Sequence, residues 1–334
     1  MPGLVARKNG FPWFRPVHPK RRLLVRMDTT NHCNLRCSMC PMRLSEGDAT
    51  RNWRHMDRDT FRRIEEEVFP LARTVGISCG AEPLVNPSFP EHLKALYHSG
   101  VPYREMVTNG TLLTPETIRT ILKYPPTSLF ISIDGASEAT HGAIRDGASL
   151  DGIIRSLKVL VDQRGKRRFP MLGFSTTLQR DNLHELTGIV ELARSVGARS
   201  VGVVPLVPYA GLGTLNRVVD PDSPEASAEI LKARERAEEL GITFHLSRNV
   251  SRGNTPHPCP YLHGTVYIDP HGSIFPCPYW NTGNPPGSMD MGFMNVWNGD
   301  VYHRLRRGDF IGTDNCLNCP EITKGRMEIS KDRQ

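Results

Sequence analysis

A chain of 334 residues, 38% hydrophobic and 23% charged, has the composition of an ordinary soluble protein, long enough for one large α/β domain and a smaller appendage. No run approaches the ~18 apolar residues of a membrane span, and the basic N-terminus lacks the apolar stretch of a secretory signal, so a membrane segment is excluded and the cytoplasm is expected. Seven basic residues precede the first acidic one, Asp28, which accounts for the whole net charge of +7. That arm is either simply solvated or suited to docking an acidic electron donor or an anionic substrate. With no aromatic interleaving beyond Trp13 and Phe14, it gives no support to nucleic-acid binding.

After the arm (residues 1–21), short β-rich runs alternate with amphipathic helical patterns. Leu23–Met27 reads as a strand leading into a cysteine loop, and residues 59–69 as a helix with Phe61, Ile64 and Val68 on one face, ended by Pro70. Strands follow at Val75–Cys79, Arg104–Val107 and Leu129–Ile133, with helices at Glu91–His98 and Pro115–Leu122 between them; Thr114 is the cap of the second. Leu150, Ile153, Ile154, Leu157 and Val161 keep the helical period between Ser149 and Gly165. Met171–Thr177 is the fifth strand, residues 183–193 a helix closing at Gly197, Ser200–Pro205 the sixth strand, and Pro224–Leu240 the last helix. Six β/α units predict a parallel, barrel-like sheet over residues 22–246, with ligands at the C-terminal strand ends. Residues 247–258 have linker composition. Beyond them, Val266–Asp269 and Ser273–Phe275 flank the turn Pro270-His271-Gly272 as a hairpin within a unit at 259–322, and residues 323–334 form a tail.

Cysteine spacing carries the chemistry. Cys33, Cys37 and Cys40 form a CxxxCxxC run on one short loop, the spacing of metal ligation in a reducing compartment. Three thiolates on a cubane iron-sulfur cluster leave one iron free for a cofactor or substrate. A zinc site completed by His32 and a chance cluster of core cysteines are the alternatives. Cys259, Cys277, Cys316 and Cys319 make a closed set of four, suited either to a fully ligated cluster or to a zinc ribbon. Cys79, beside a Gly80-Ala81-Glu82-Pro83 turn, is left over; it is either a small core residue or a hydrogen-atom donor.

Taken in order, CxxxCxxC, Gly80-Ala81-Glu82-Pro83 and Ser132-Ile133-Asp134-Gly135, each at a predicted strand end, resemble the motifs of the radical S-adenosylmethionine (radical SAM) superfamily. The resemblance covers about residues 22–210 and 255–322 and implies a partial (β/α)6 barrel. It makes Cys33, Cys37 and Cys40 ligands of a [4Fe-4S] cluster whose open iron is chelated by the methionine part of S-adenosylmethionine. Met39 takes the place of a common aromatic and can pack the adenine face. Gly80 and Glu82 would meet the cofactor's amino group, with Ala81 replacing a second glycine. Ser132 and Asp134 would reach the ribose, and Arg145, four residues after His141, the carboxylate. Thr176, Asn182, Val204 and Pro205 would line the ribose and adenine pocket. The C-terminal cysteines resemble the SPASM/twitch appendage, which makes Cys259, Cys277, Cys316 and Cys319 ligands of an auxiliary [4Fe-4S] cluster.

Such an enzyme uses an electron from a flavodoxin- or ferredoxin-type donor to form a 5′-deoxyadenosyl radical, which takes hydrogen from an unactivated C–H bond. About 22 residues precede the first strand, too few for the leader-binding domain of peptide-modifying relatives. The expected substrate is therefore a small sugar-, aminocyclitol- or nucleoside-like molecule, dehydrogenated with the auxiliary cluster as electron acceptor. The alternatives are a peptide maturase, a sugar epimerase or decarboxylase, and a non-catalytic zinc-binding protein. No general base is pinned by spacing.

Overall fold

The computed structural model describes residues 21–45, 53–165, 171–208, 211–247, 260–278 and 284–307. Its frame is a run of parallel strands, β1 (Leu23–Met27), β2 (Ala72–Ile77), β3 (Tyr103–Thr108), β4 (Ser128–Ser132), β5 (Met171–Leu178), β6 (Ser200–Pro205) and β7 (Thr243–Leu246), each paired with the next. Between them run α1 (Arg58–Glu67), α2 (Phe89–His98), α3 (Pro115–Lys123), α4 (Glu138–Ile144), α5 (Leu150–Arg164), α6 (Leu186–Ser195) and α7 (Pro224–Leu240). Side chains of Asp57, Thr114, Ser137, Ser149 and Ser223 accept a backbone N–H of the first turn of α1, α3, α4, α5 and α7, which fixes where those helices start.

Two features depart from the sequence reading. Six strands were expected before the linker, and β7 makes a seventh. Only Phe244 and Leu246 of its four residues pack on the core, too short a run to show a period of two. The second departure is at the other edge. Strand β8 (Thr265–Ile268) pairs in parallel with β1 and is followed by antiparallel β9 (Ser273–Phe275) and β10 (Gly287–Ser288), so the C-terminal hairpin extends the barrel sheet into ten strands.

The core follows the same continuity. Residues of β3–β7 and helices α3 and α5–α7 form one apolar cluster. A second unites Val25, Ile64 and Val75 with Val266, Ile274, Phe293 of α8 (Phe293–Trp297) and Tyr302 of α9 (Asp300–Arg306). A third, small cluster of Leu35, Cys37, Met39, Ile144 and Leu206 sits under the cysteine loop. Among the described residues no helix is long and apolar enough to cross a membrane.

Candidate functional site

Parallel strands bring their C-terminal ends to one rim, and the loops that follow them there are tied to one another. After β1 the cysteine loop is held by Arg36 N–H on Asp146 O at 3.0 Å and Ser38 N–H on Ile144 O at 2.8 Å. Cys37 and Met39 are buried and Cys33 and Cys40 half-buried. Burial pushes the Cys33 and Cys37 thiols up, because a thiolate loses water there. Donors stand beside both sulfurs: Arg145 Nη1 lies 3.9 Å from Cys37 Sγ and Asn109 Nδ2 4.0 Å from Cys33 Sγ. Buried thiols flanked by donors ionise when a metal replaces their protons, so this donor set fits an iron-sulfur cluster. Among the described residues, no three His, Cys, Asp or Glu side chains converge on a single metal ion.

The turn after β2 is built on Ser78, a non-glycine residue at φ 77°, whose hydroxyl donates to Ala81 O at 2.6 Å. That reversal aims Cys79 N–H and Gly80 N–H at the buried Asp28 carboxylate, at 2.7 and 3.0 Å. A Cβ at Gly80 would stand 3.3 Å from Asp28 Oδ2. Glu82 is also buried and accepts from the Thr108 hydroxyl (2.7 Å), Asn109 N–H (2.7 Å) and Leu84 N–H (3.1 Å), while its own N–H reaches His32 O at 3.1 Å. Burial outweighs these bonds and raises its carboxyl to about 7. In this arrangement the Glu82 carboxylate links the glycine turn to the end of β3.

Past β4, Asp134 is fully buried and forms an ion pair with Arg145, Nε to Oδ2 2.7 Å, while its Oδ1 accepts Thr177 N–H at 2.7 Å. Burial works against the Arg145 charge, but Asp134 and Cys37 outweigh it and raise the guanidinium pKa. Gly135 lets α4 approach: a Cβ there would lie 2.5 Å from His141 N. His141 is itself buried, and its Nδ1 accepts Asp134 N–H at 3.2 Å. Ser132 is buried at the end of β4. Thr176 donates to Ile133 O, and Asn182 Nδ2 donates to Asp134 O and Thr177 O, so these side chains brace the rim. Val204, 39% exposed, presents an apolar surface beside them.

Of the second cysteine set, Cys277 lies just past β9 and is half-buried; Cys259, Cys316 and Cys319 lie outside the described residues. Cys277 is close enough to the buried Tyr302 hydroxyl to raise its pKa, although burial is the larger cause. Cys79 itself lies two residues past β2 and is exposed rather than a core residue.

Several residues of this network escaped sequence reasoning: Asp28, Thr108, Asn109 and Tyr267. The first three carried a usable signal, since they are polar groups directly after β1 and at the end of β3, where the strand-end rule already pointed for the other strands. Tyr267 carried none, because its position depends on β8 pairing with β1.

Residues 27–193 match the family model of the Radical SAM superfamily, and residues 259–320 that of an iron-sulfur cluster-binding domain, SPASM. The chain is 28% identical to an AdoMet-dependent heme synthase of Methanosarcina barkeri, over 85% of this chain and 84% of the relative. It is also 28% identical to the mycofactocin maturase MftC of Mycobacterium tuberculosis, over 87% of this chain and 74% of that protein. Among solved structures, Streptococcus suis SuiB bound to S-adenosylmethionine superposes with a TM-score of 0.70 at 14% identity, covering 91% of this chain and 72% of SuiB.

Proposed function

The chain belongs to the radical SAM superfamily and carries a C-terminal SPASM domain, and on that premise we propose that it cleaves S-adenosylmethionine reductively and oxidises a small, non-peptide substrate by two electrons. Cys33, Cys37 and Cys40 would hold a [4Fe-4S] cluster with one open iron, and Cys259, Cys277, Cys316 and Cys319 a second, fully ligated one. When bound, the first cluster and its cofactor supply a 5′-deoxyadenosyl radical able to abstract hydrogen from an unactivated C–H bond. The proposed division is a barrel of residues 22–246 and an auxiliary unit of residues 259–322 joined by residues 247–258.

The observation that carries this reading is the convergence of the three-cysteine loop with the Asp134–Arg145 pair. Arg145 stands at 3.9 Å from Cys37 Sγ with its charge secured by a buried partner, so a carboxylate bound at the open iron would meet a fixed cation. Gly80 and Ala81 keep the backbone open to the cofactor's amino group, and Glu82 fixes that turn against β3. Ser132, Thr176, Asn182, Met39 and Val204 are the proposed walls of the ribose and adenine pocket. A flavodoxin- or ferredoxin-type protein is the proposed electron donor. A closed second set offers no open iron to a substrate, which leaves it electron transfer or structural support; the proposed role is electron acceptor.

For the substrate, support comes from the heme synthase, which matches along most of both chains. The narrower sugar-, aminocyclitol- or nucleoside-like class stays part of the proposal, and the relatives described above add nothing to it. Peptide modification is the second reading, favoured by the similarity to the mycofactocin maturase.

Anaerobically reconstituted protein is expected to hold on the order of eight irons with matching sulfide. Alanine at Cys33, Cys37 and Cys40 together should abolish 5′-deoxyadenosine formation while about half the iron stays. Equimolar zinc with little iron would identify a non-catalytic zinc protein instead. Turnover of a precursor peptide with no small-molecule activity would overturn the substrate assignment alone.

A further inference from the structure

Side chains alternate between the two faces of a strand, and in β1–β3 Val25, Met27, Val75, Ile77 and Met106 enter the helix-packed cores. Arg26, Gly76 and Glu105 therefore share the opposite face of the sheet, and the register sets them side by side: Arg26 pairs with Gly76, and Gly76 with Glu105. Because Gly76 has no side chain, the guanidinium crosses β2 and donates from Nη1 to Glu105 Oε2 at 2.7 Å. A Cβ at Gly76 would collide with that nitrogen and stand 3.1 Å from Arg26 Cδ. The two side chains keep 30% and 28% of their surface exposed, and Nε and Nη2 of Arg26 have no hydrogen-bond partner among the described residues. Strand β8 continues the row on the other side, where Tyr267 pairs with Arg26 and Phe275 with Tyr267, the two rings 5.7 Å apart. Asp28 fixes the phenol, so the rings form a rigid apolar wall next to the cation. The row runs two residues, about 7 Å, below Asp28 and Ser78 at the rim, and so beneath the glycine turn.

On the reading that the chain oxidises a small, non-peptide substrate, we propose that this row anchors it and that the substrate carries a single carboxylate: Arg26 takes the carboxylate on Nε and Nη2, and a ring attached to it packs on Tyr267 and Phe275. Two parallel N–H groups on one guanidinium edge match the two oxygens of a carboxylate. Glu105 already offsets the charge of Arg26, which favours a monoanion over the dianion of a phosphate monoester. Arg26 is thus a binding and specificity residue placed under the site of hydrogen abstraction, on a surface built jointly by the barrel and the C-terminal hairpin.

The probe is benzoate, compared with its uncharged isostere benzamide and with phenyl phosphate by anaerobic calorimetric titration of reconstituted full-length protein saturated with S-adenosylmethionine. Benzoate should bind about tenfold more tightly than either. Glu105→Gln removes the competing carboxylate and should tighten benzoate while leaving benzamide unchanged. The double variant Arg26→Gln with Glu105→Gln faces one neutral amide with another, so no charge is stranded, and it should bind benzoate and benzamide alike. Equal affinity for those two probes in the parent, or an undiminished preference for benzoate in the double variant, overturns the proposal. Tighter binding of phenyl phosphate overturns the choice of a monoanion. Formation of 5′-deoxyadenosine is followed in the same preparation; its absence would overturn the proposed radical activity and leave the affinity comparison standing.

Discussion

Tyr267 donates a 2.9 Å hydrogen bond to the carboxylate of Asp28, a residue 239 positions earlier in the chain. The contact exists because β8 lies parallel to β1 with Tyr267 opposite Arg26, which carries the phenol to the end of β1. The same carboxylate holds Cys79 N–H and Gly80 N–H. The C-terminal hairpin therefore helps set the glycine turn of the barrel, and a ligand bound at that turn feels both parts of the chain.

Weakening this strut is expected to loosen cofactor binding before it unfolds the protein. Tyr267→Phe removes one neutral-to-charged hydrogen bond, worth about 1.5–3 kcal/mol. If half of that reaches the turn, S-adenosylmethionine binding weakens about threefold to tenfold. Asp28→Ala leaves two N–H groups unsatisfied and should cost more than tenfold. Equilibrium dialysis against anaerobic, reconstituted protein measures both; equal affinity in all three proteins would detach the hairpin from the turn.

The Asp134–Arg145 pair makes a sharper prediction. Asp134 is 0% and Arg145 12% exposed at the side chain, so removing one charge strands the other in a poorly solvated place. Asp134→Asn should lower stability by about 3 kcal/mol or more and weaken cofactor binding through Arg145, without reducing iron bound at the cysteines. Denaturant melts and iron analysis separate these effects. An Asp134→Asn protein as stable as the parent would show that the pair contributes no net stability.

How much of this was open to reading from sequence depends on how local each signal is. The cysteine loop, the glycine turn and the Ser132–Gly135 segment follow predicted strands within a few residues, so pattern alone placed them on the rim. The Asp134–Arg145 pair is half visible: the four-residue spacing of His141 and Arg145 matches the Arg145 N–H bond to His141 O that closes α4, but the partner of the guanidinium depends on how α4 folds back over Gly135. For Thr176 and Asn182, expected to line the ribose and adenine pocket, sequence does not show that the hydroxyl and amide also donate to the carbonyls of Ile133, Asp134 and Thr177. The Asp28–Tyr267 strut lay beyond reach, since it requires the pairing of two strands from opposite ends of the chain.

Acid sensitivity should trace in part to His92. Its ring is buried and stacks on Phe61 at 4.0 Å between centroids, and burial lowers its pKa from 6.5 to about 4. The unfolded chain therefore binds a proton near pH 6.5 that the folded protein refuses, so stability is full above that value and falls as pH drops toward 4. Between about pH 7.5 and about pH 5.5 the loss from this residue is about 1.4 kcal/mol. His92→Phe keeps the stack and removes the proton, so its unfolding free energy should vary with pH by about that much less. A pH dependence identical to the parent would place the histidine's titration outside the folding equilibrium.

The closed cysteine set predicts an uncoupled enzyme. Hydrogen abstraction needs only the three-cysteine loop and the rim residues, whereas completing a two-electron oxidation needs somewhere for the second electron to go. Alanine at Cys316 and Cys319 should therefore preserve some 5′-deoxyadenosine formation while product falls by at least about tenfold, a loss of about 1.4 kcal/mol or more in the later step. A substrate deuterated at the reacting carbon makes the two steps separately visible. Label should still enter 5′-deoxyadenosine in the variant, and the product two hydrogens lighter should disappear. Cys79, exposed and near Cys277, gives the competing outcome: if its thiol quenches the substrate radical, the product has the mass of the unlabelled substrate, carries a solvent-derived hydrogen and vanishes in Cys79→Ala. Turnover to that product would replace dehydrogenation by epimerisation, and unchanged formation of the product two hydrogens lighter in the Cys316 and Cys319 variant would reduce the second site to a scaffold.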